Sequence, residues 1–313
     1  MLLQDYPDQR ERSLTCYNLT MSAPFFSVVI PTLNEEKALP HLLKDLQQQT
    51  WADFSVTVVD GKSQDKTPSI VKKIGEKDDR FALLISERRH VGAQRNLGAK
   101  QSKGPYLLFL DADDRIPKFF LEGLHYQLMK KDVDTFTCWS ISETSNANDV
   151  ILMKIVNLVF EAGKKLDRPL MFGACIGCKR TVFSSLHGFS EKLGFMEDIQ
   201  FARKAVHAGY SLEVFKEPTV MYSLRRLRKE GTLKIIHEQL PIWIKMLKSK
   251  HISNTVGEYP MLGGTYFDQD DSRQKKTYSL AFLREMEESM KRIIKSRSGK
   301  IQASIRDFLE EIV

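Results

Sequence analysis

The sequence predicts an α/β domain built on a mostly parallel sheet flanked by helices, followed by a helical C-terminal extension. Three observations carry this reading. Apolar runs at 25–30, 54–59, 81–85 and 105–110 alternate with helical periodicities, as buried strands alternate with crossover helices. Two of those runs end on carboxylates, Asp60 and Asp111, where the crevice of an open α/β sheet takes its ligand. The run Tyr106-Leu107-Leu108-Phe109-Leu110 meets Asp111, Asp113 and Asp114 within four residues. Carboxylates so close repel each other unless a cation or protons intervene. Asp-x-Asp on a strand end offers hard oxygen ligands to Mg²⁺ or Mn²⁺, and it also makes a polar turn after a buried strand. The residues alone leave both open.

The first strand is expected at Phe25-Phe26-Ser27-Val28-Val29-Ile30, closed by Pro31. Asn34-Glu35-Glu36 then reads as a helix start, with Leu39, Leu42, Leu43 and Leu46 at helical spacing. Phe54 to Asp60 is a second strand, Gly61 to Asp65 a turn, and Thr67-Pro68 the opening of a helix carrying Ile70, Val71 and Ile74. A third strand at 81–85 and a small-residue helix at 90–101 lead into the strand that ends at Asp111. Pro117 suits a first helical turn before Phe120, Leu124 and Leu128, and 133–139 offers a further strand. Right-handed crossovers put Asp60 and Asp111 on one rim. Beyond 140 the pattern loosens to a helix at 150–162, a strand or tight turn at 172–177, and a helix at 197–209 begun by acids and ended by Gly209. Residues 1–23 are a loose polar extension, 24–230 the main domain, and 231–313 the helical extension.

A length of 313 residues with 42% hydrophobic and 28% charged residues fits a soluble globular protein with a real core. The formal charge of +7 permits a nucleotide, an anionic lipid or a nucleic acid without selecting among them. Cys16, Cys138, Cys175 and Cys178 are too scattered for a disulfide framework, which points to a reducing compartment. Cys175-x-x-Cys178 has neither a second pair nor a metal-spaced histidine. Leu2-Leu3 is followed at once by polar residues, and the apolar run 150–160 is broken by Lys154 and Asn157. That run is shorter than the roughly 20 residues of a spanning helix. The expected location is cytoplasmic, with peripheral contact on the inner membrane face as its extension. The segment 234–250, with Trp243 among isoleucines and Lys245, Lys248 and Lys250 nearby, suits either an anionic membrane surface or packing on the domain.

In chain order the motifs resemble an inverting family-2 glycosyltransferase of GT-A (nucleotide-diphospho-sugar transferase-like) fold. The resemblance spans about residues 25–230. It rests on Val29-Ile30-Pro31-Thr32-Leu33-Asn34-Glu35, Val58-Val59-Asp60-Gly61-Lys62-Ser63, Gly92-Ala93-Gln94-Arg95-Asn96, Asp111-Ala112-Asp113, and His187-Gly188-Phe189 followed by Glu197-Asp198. Each motif alone is weak; five in family order are specific. The resemblance implies that Pro31, Thr32, Asn34 and Glu35 line the nucleotide and that Asp60 accepts a hydrogen bond from the base. It implies further that Arg95 sits near the nucleotide-sugar and that Asp111 approaches the ribose and the metal. Asp113 would ligate the divalent metal (Mn²⁺ or Mg²⁺), and Asp198, with Glu197 beside it, would be the catalytic base. The donor would be a UDP- or GDP-sugar and the acceptor a glycan or lipid-linked hydroxyl. The processive synthases' Gln-x-x-Arg-Trp box is absent, its neighbourhood reading Leu224-Arg225-Arg226-Leu227-Arg228, which favours single addition over polymerisation. Arg225, Arg226 or Arg228 could close over the diphosphate or form a basic face.

Rival classes fit less well. Gly61-Lys62-Ser63 lacks the glycine a phosphate-binding loop needs five residues earlier, where Val56 stands. No recognition motif accompanies the basic residues, so a nucleic-acid partner is not expected. The remaining alternative is a catalytically inactive nucleotide-sugar-binding domain of the same fold.

Overall fold

The computed structural model describes residues 23–193 and 196–225, and beyond them 264, 283, 284, 286–288 and 291. Seven strands form one sheet: β1 (Phe26–Thr32), β2 (Phe54–Asp60), β3 (Phe81–Ile85), β4 (Tyr106–Leu110), β5 (Thr135–Ser142), β6 (Cys175–Lys179) and β7 (Leu212–Tyr222). Their order across the sheet is β3-β2-β1-β4-β6-β5-β7. Strands β1 to β4 are mutually parallel where they pair, β6 runs antiparallel to both β4 and β5, and β7 is parallel to β5. The mostly parallel α/β sheet expected from the sequence is therefore the architecture observed.

The central strands are buried on both faces, and their alternating side chains feed two separate cores. Val28, Ile30, Leu108 and Leu110 point into one core with α1 (Leu39–Gln47), α2 (Thr67–Gly75) and α4 (Phe120–Lys130). Val29, Leu107 and Phe109 point into the other with α3 (Val91–Gln101), α5 (Ala147–Lys165), α6 (Arg180–Ser185) and α7 (Glu197–His207). Leu283 and Met286, of the C-terminal extension, are buried in this second core. Helix α3 lies close on the sheet because Gly98 has no Cβ; one there would overlap Val29 and come within 3.0 Å of Val59 Cγ2.

Two local expectations change. The Asn34-Glu35-Glu36 signal does not start α1, which begins at Leu39. Those polar groups are instead bonded across to the turn after β2: Asn34 N donates to Ser63 Oγ, Glu35 N to Thr67 Oγ1 and Glu36 N to Asp65 Oδ2, at 2.7–2.9 Å. Pro117 likewise lies ahead of α4 rather than inside it, its carbonyl accepting from the Phe120 N–H and from Gln49 Nε2. The strand or tight turn expected at 172–177 is a turn at Phe172 followed by β6.

Candidate active site

The sheet changes direction of growth between β1 and β4. From β1 the chain adds β2 and then β3 on one side; β4 returns to the other side. A crevice opens beyond the carboxyl ends of strands at such a reversal. The loop after β1 (Leu33–Glu35), Asp60 at the end of β2, and Asp111 to Asp114 after β4 all belong to that rim.

The β1 and β2 loops lock each other in place. Asp60 is fully buried, and its Oδ2 accepts from Ser63 N at 2.8 Å while its Oδ1 accepts from Ser63 Oγ and, at 3.3 Å, from Thr32 Oγ1. Asn34 adopts a left-handed backbone (φ 54°), which asparagine tolerates better than most residues, and its Oδ1 accepts from Gln64 N at 2.8 Å. Gln94, from α3, donates to the Thr32 and Val59 carbonyls at 2.9 and 2.7 Å. That amide holds the ends of β1 and β2 at a fixed spacing. Above this loop, Gly264 N donates to the Leu33 carbonyl at 2.9 Å, so closely that a Cβ on Gly264 would overlap the Asn34 carbonyl.

Arg95 is the second organising group. Its side chain is only 2% exposed. Nη1 donates to Glu197 Oε1 at 2.7 Å, and Nη2 to Asp111 Oδ1 at 2.9 Å and to the Gly173 carbonyl at 3.0 Å. A position on α3 thus ties the end of β4 to the start of α7 and to the turn before β6. Asp198 joins the same cluster: an imagined Cβ on Gly173 would lie 3.2 Å from Asp198 Oδ2, 3.6 Å from Arg95 Nη2 and 3.9 Å from Asp111 Oδ2. A side chain at 173 would fill the space these groups share. Arg95 is therefore a buried member of this carboxylate cluster and not a solvated helix residue.

Burial sets the protonation of this cluster. It raises the Asp198 carboxyl to about 7, helped by the Glu197 charge and opposed by Arg95. It raises Asp111 to about 6, again against the pull of Arg95. Asp114 is fully buried, its Oδ2 accepting from Asp111 N at 3.1 Å and its Oδ1 without a hydrogen-bond partner. Burial and the charges of Asp111 and Asp113 hold that carboxyl well above the usual range. The sequence marked Asp114 as one acid of a cluster, but its burial beneath the rim has no local signal.

At the rim, Arg225 bridges two loops. Its Nη1 and Nη2 donate to Glu35 Oε2 and Oε1 at 2.7 and 2.6 Å, and its Nε lies 2.9 Å from Asp113 Oδ2. Burial lifts Glu35 to about 7 although Arg225 pulls the other way. Arg226 and Arg228 lie outside the described residues, as does the segment 234–250. Among the described residues no three His, Cys, Asp or Glu side chains form a metal-binding group, and no helix is long and apolar enough to cross a membrane. Cys175 and Cys178 are buried free thiols on β6.

A mostly parallel sheet that reverses between β1 and β4, with acids at the β1, β2 and β4 ends and a carboxylate pair opening α7, is of GT-A type. The chain belongs to glycosyl transferase family 2, whose profile it matches over residues 27–187, and it is a glycosyltransferase. An uncharacterised glycosyltransferase of Methanocaldococcus jannaschii is 28% identical over 210 residues, covering 65% of this chain and 72% of that one. A Campylobacter jejuni GalNAc(5)-diNAcBac-PP-undecaprenol β-1,3-glucosyltransferase is 33% identical over 110 residues, about a third (34%) of each chain. Among solved structures, a mannosyltransferase from Pyrobaculum calidifontis in complex with GDP-Man and Mn²⁺ shares the fold. Its TM-score is 0.54 and its identity 21%, over 75% of this chain and 72% of that one.

Proposed function

We propose that this glycosyltransferase moves one sugar from a UDP- or GDP-sugar to a hydroxyl of a glycan or lipid-linked acceptor, with inversion at the transferred carbon. The observation that carries the reading is the Arg95 junction, which brings Asp198 beside Asp111 although the two are far apart in sequence. One carboxylate can then serve the acceptor while the acids of the β4 end serve the donor. Pro31, Thr32, Asn34 and Glu35 form one wall of the nucleotide pocket, and Asp60 shapes its floor by holding the Ser63 turn. Asp60 reaches the base only with the part of its carboxylate that the turn leaves free.

Inversion by a single displacement needs a base on the acceptor side. Asp198 takes the acceptor hydroxyl proton on a carboxylate oxygen as the new bond forms, since the hydroxyl is too weak an acid to be deprotonated beforehand. A carboxyl held near 7 is a better proton acceptor than an ordinary one. Glu197 keeps Arg95 engaged and lends Asp198 its charge. Asp113 and Asp111 are hard oxygen donors suited to Mg²⁺ or Mn²⁺, which take one or two carboxylates and complete their shell with substrate phosphates and water. No larger protein cluster is required for that mode of binding. When bound, such a cation would offset the charge developing on the departing diphosphate.

The test is donor hydrolysis without acceptor across UDP- and GDP-sugars, with Mn²⁺, Mg²⁺ or EDTA, beside Asp113→Ala and Asp198→Ala. Release from one donor that disappears with EDTA and in Asp113→Ala supports the metal-dependent reading. Metal-independent release would overturn the metal assignment, and a retained anomeric configuration in the transfer product would overturn inversion. Nucleotide binding by calorimetry with neither release nor transfer from any donor would favour the inactive nucleotide-sugar-binding alternative, and no nucleotide binding at all would overturn both readings.

A further inference from the structure

Arg225 occupies a place that the reaction itself needs. Its guanidinium lies against Asp113, the acid assigned above to the metal, and is anchored on the other side by both oxygens of Glu35. The two acids come from loops after neighbouring strands, β1 and β4. Glu35 is 5% exposed, Asp113 19% and Arg225 14%, so little water screens the group. Two acids that converge at a partly dry rim repel each other, and the guanidinium is what offsets that repulsion. A divalent cation approaching Asp113 therefore meets a fixed positive charge already on its ligand. Cation and guanidinium raise each other's energy at close range, the more so where the dielectric is low.

We infer that Arg225 is a positioning residue that acts as the resident counter-ion of Asp113 before the donor arrives, and that it couples metal binding to diphosphate binding. With no nucleotide present, the metal must displace Arg225 or share Asp113 with it, and it binds weakly. A nucleoside diphosphate changes the balance, because its oxygens offer the guanidinium a better partner in the fork geometry arginine prefers. Arg225 moves from Asp113 to the phosphate oxygens, and Asp113 becomes free for the metal. The coupling is reciprocal: metal favours diphosphate by the same factor that diphosphate favours metal. The inference rests on the reading of Asp113 as the metal acid.

The experiment is a titration of the full chain with MnCl2, following free Mn²⁺ by electron paramagnetic resonance, first alone and then with GDP or UDP. Arg225→Gln removes the charge and keeps a hydrogen-bonding side chain. It is expected to bind Mn²⁺ without nucleotide at least about tenfold more tightly than the unaltered protein. Its gain in Mn²⁺ affinity on adding the nucleotide should shrink by a similar factor. Arg225→Lys keeps a cation but cannot span both acids, and should tighten metal binding by about threefold. It carries the test if the Gln variant does not fold. Equal or weaker nucleotide-free binding in the variants, including no detectable binding in any of them, overturns the inference. Asp113→Asn separates the two readings: if it keeps full Mn²⁺ affinity in the presence of nucleotide, the metal assignment itself fails.

Discussion

Replacing Arg95 with methionine removes the charge that holds the site together and leaves a side chain of similar reach. The guanidinium is buried and bonded to Glu197, Asp111 and the Gly173 carbonyl. Removing one partner from a buried charge network costs about 3–5 kcal/mol, mostly because the remaining charges are left uncompensated. For a domain of this size each kcal/mol moves the melting temperature by about 2–4 °C, so a fall of roughly 10 °C is expected near pH 8. The pH dependence is the sharper part. Asp111 and Asp198 titrate at about 6 and about 7, above their range in the unfolded chain, so the stability tied to them is present at low pH and lost as pH rises through those values. Arg95 lowers both; its removal lifts them further, and near pH 5.5 they are protonated in the folded variant and need no cation. The deficit in melting temperature should therefore be largest near pH 8 and at least halve near pH 5.5. Calorimetric unfolding at the two pH values decides it. No loss near pH 8, or an equal loss at both, would refute the claim that Arg95 is there to neutralise the acids.

Asp198→Asn should lower the transfer rate by about 10²–10⁴-fold while nucleotide affinity by calorimetry stays unchanged. In the unaltered protein the rate should climb with pH through about 7, as Asp198 becomes the free base, and level off above; a flat profile there would remove Asp198 as the base. Gly264→Ala forces a Cβ into the Asn34 carbonyl and so displaces the loop proposed to wall the nucleotide pocket. The donor KM should rise by about tenfold with kcat nearly preserved, and an unchanged KM would show the loop to be indifferent to its cover. Gly177→Ala drives a methyl into the ring of Phe136 in the sheet interior and should cost about 1–3 kcal/mol, read from the denaturant midpoint.

What was legible in the sequence is what local order writes there. β1, β2 and β4 show as apolar runs because they are largely buried on both faces, and the ends of β2 and β4 show because Asp60 and Asp111 interrupt them. β7 was not expected: Lys216, Glu217 and Pro218 break the apolar pattern in its middle, and they sit on the edge strand of the sheet, where proline and exposed charge are tolerated. The Asn34-Glu35-Glu36 signal misled because its groups bond a turn some 30 residues on instead of capping α1. The same limit applied to the two arginines. Arg95 is 102 residues from Glu197 and Arg225 is 190 from Glu35, and no periodicity encodes a pairing at that distance. Glu197-Asp198 was recognisable as a motif, but the resemblance alone did not show that the first turn of α7 sets Asp198 beside Asp111.

The balance of charge at the rim argues for the reaction independently of any motif. Five carboxylates, those of Glu35, Asp111, Asp113, Glu197 and Asp198, are served by two guanidiniums. A purely structural network has no use for such an excess, since unpaired buried acids destabilise the fold that holds them. Nor can an anionic diphosphate settle among them as they stand. Something positive has to arrive with it, or protons have to be taken up first. Burial raises Glu35, Asp111 and Asp198, the direction that favours the second route. In the proposed reaction a divalent cation entering with the diphosphate would supply the first, and it would lower the cost of leaving Asp198 ionised. On that proposal the acid-rich crevice is stabilised by protons until its substrate brings the missing charge.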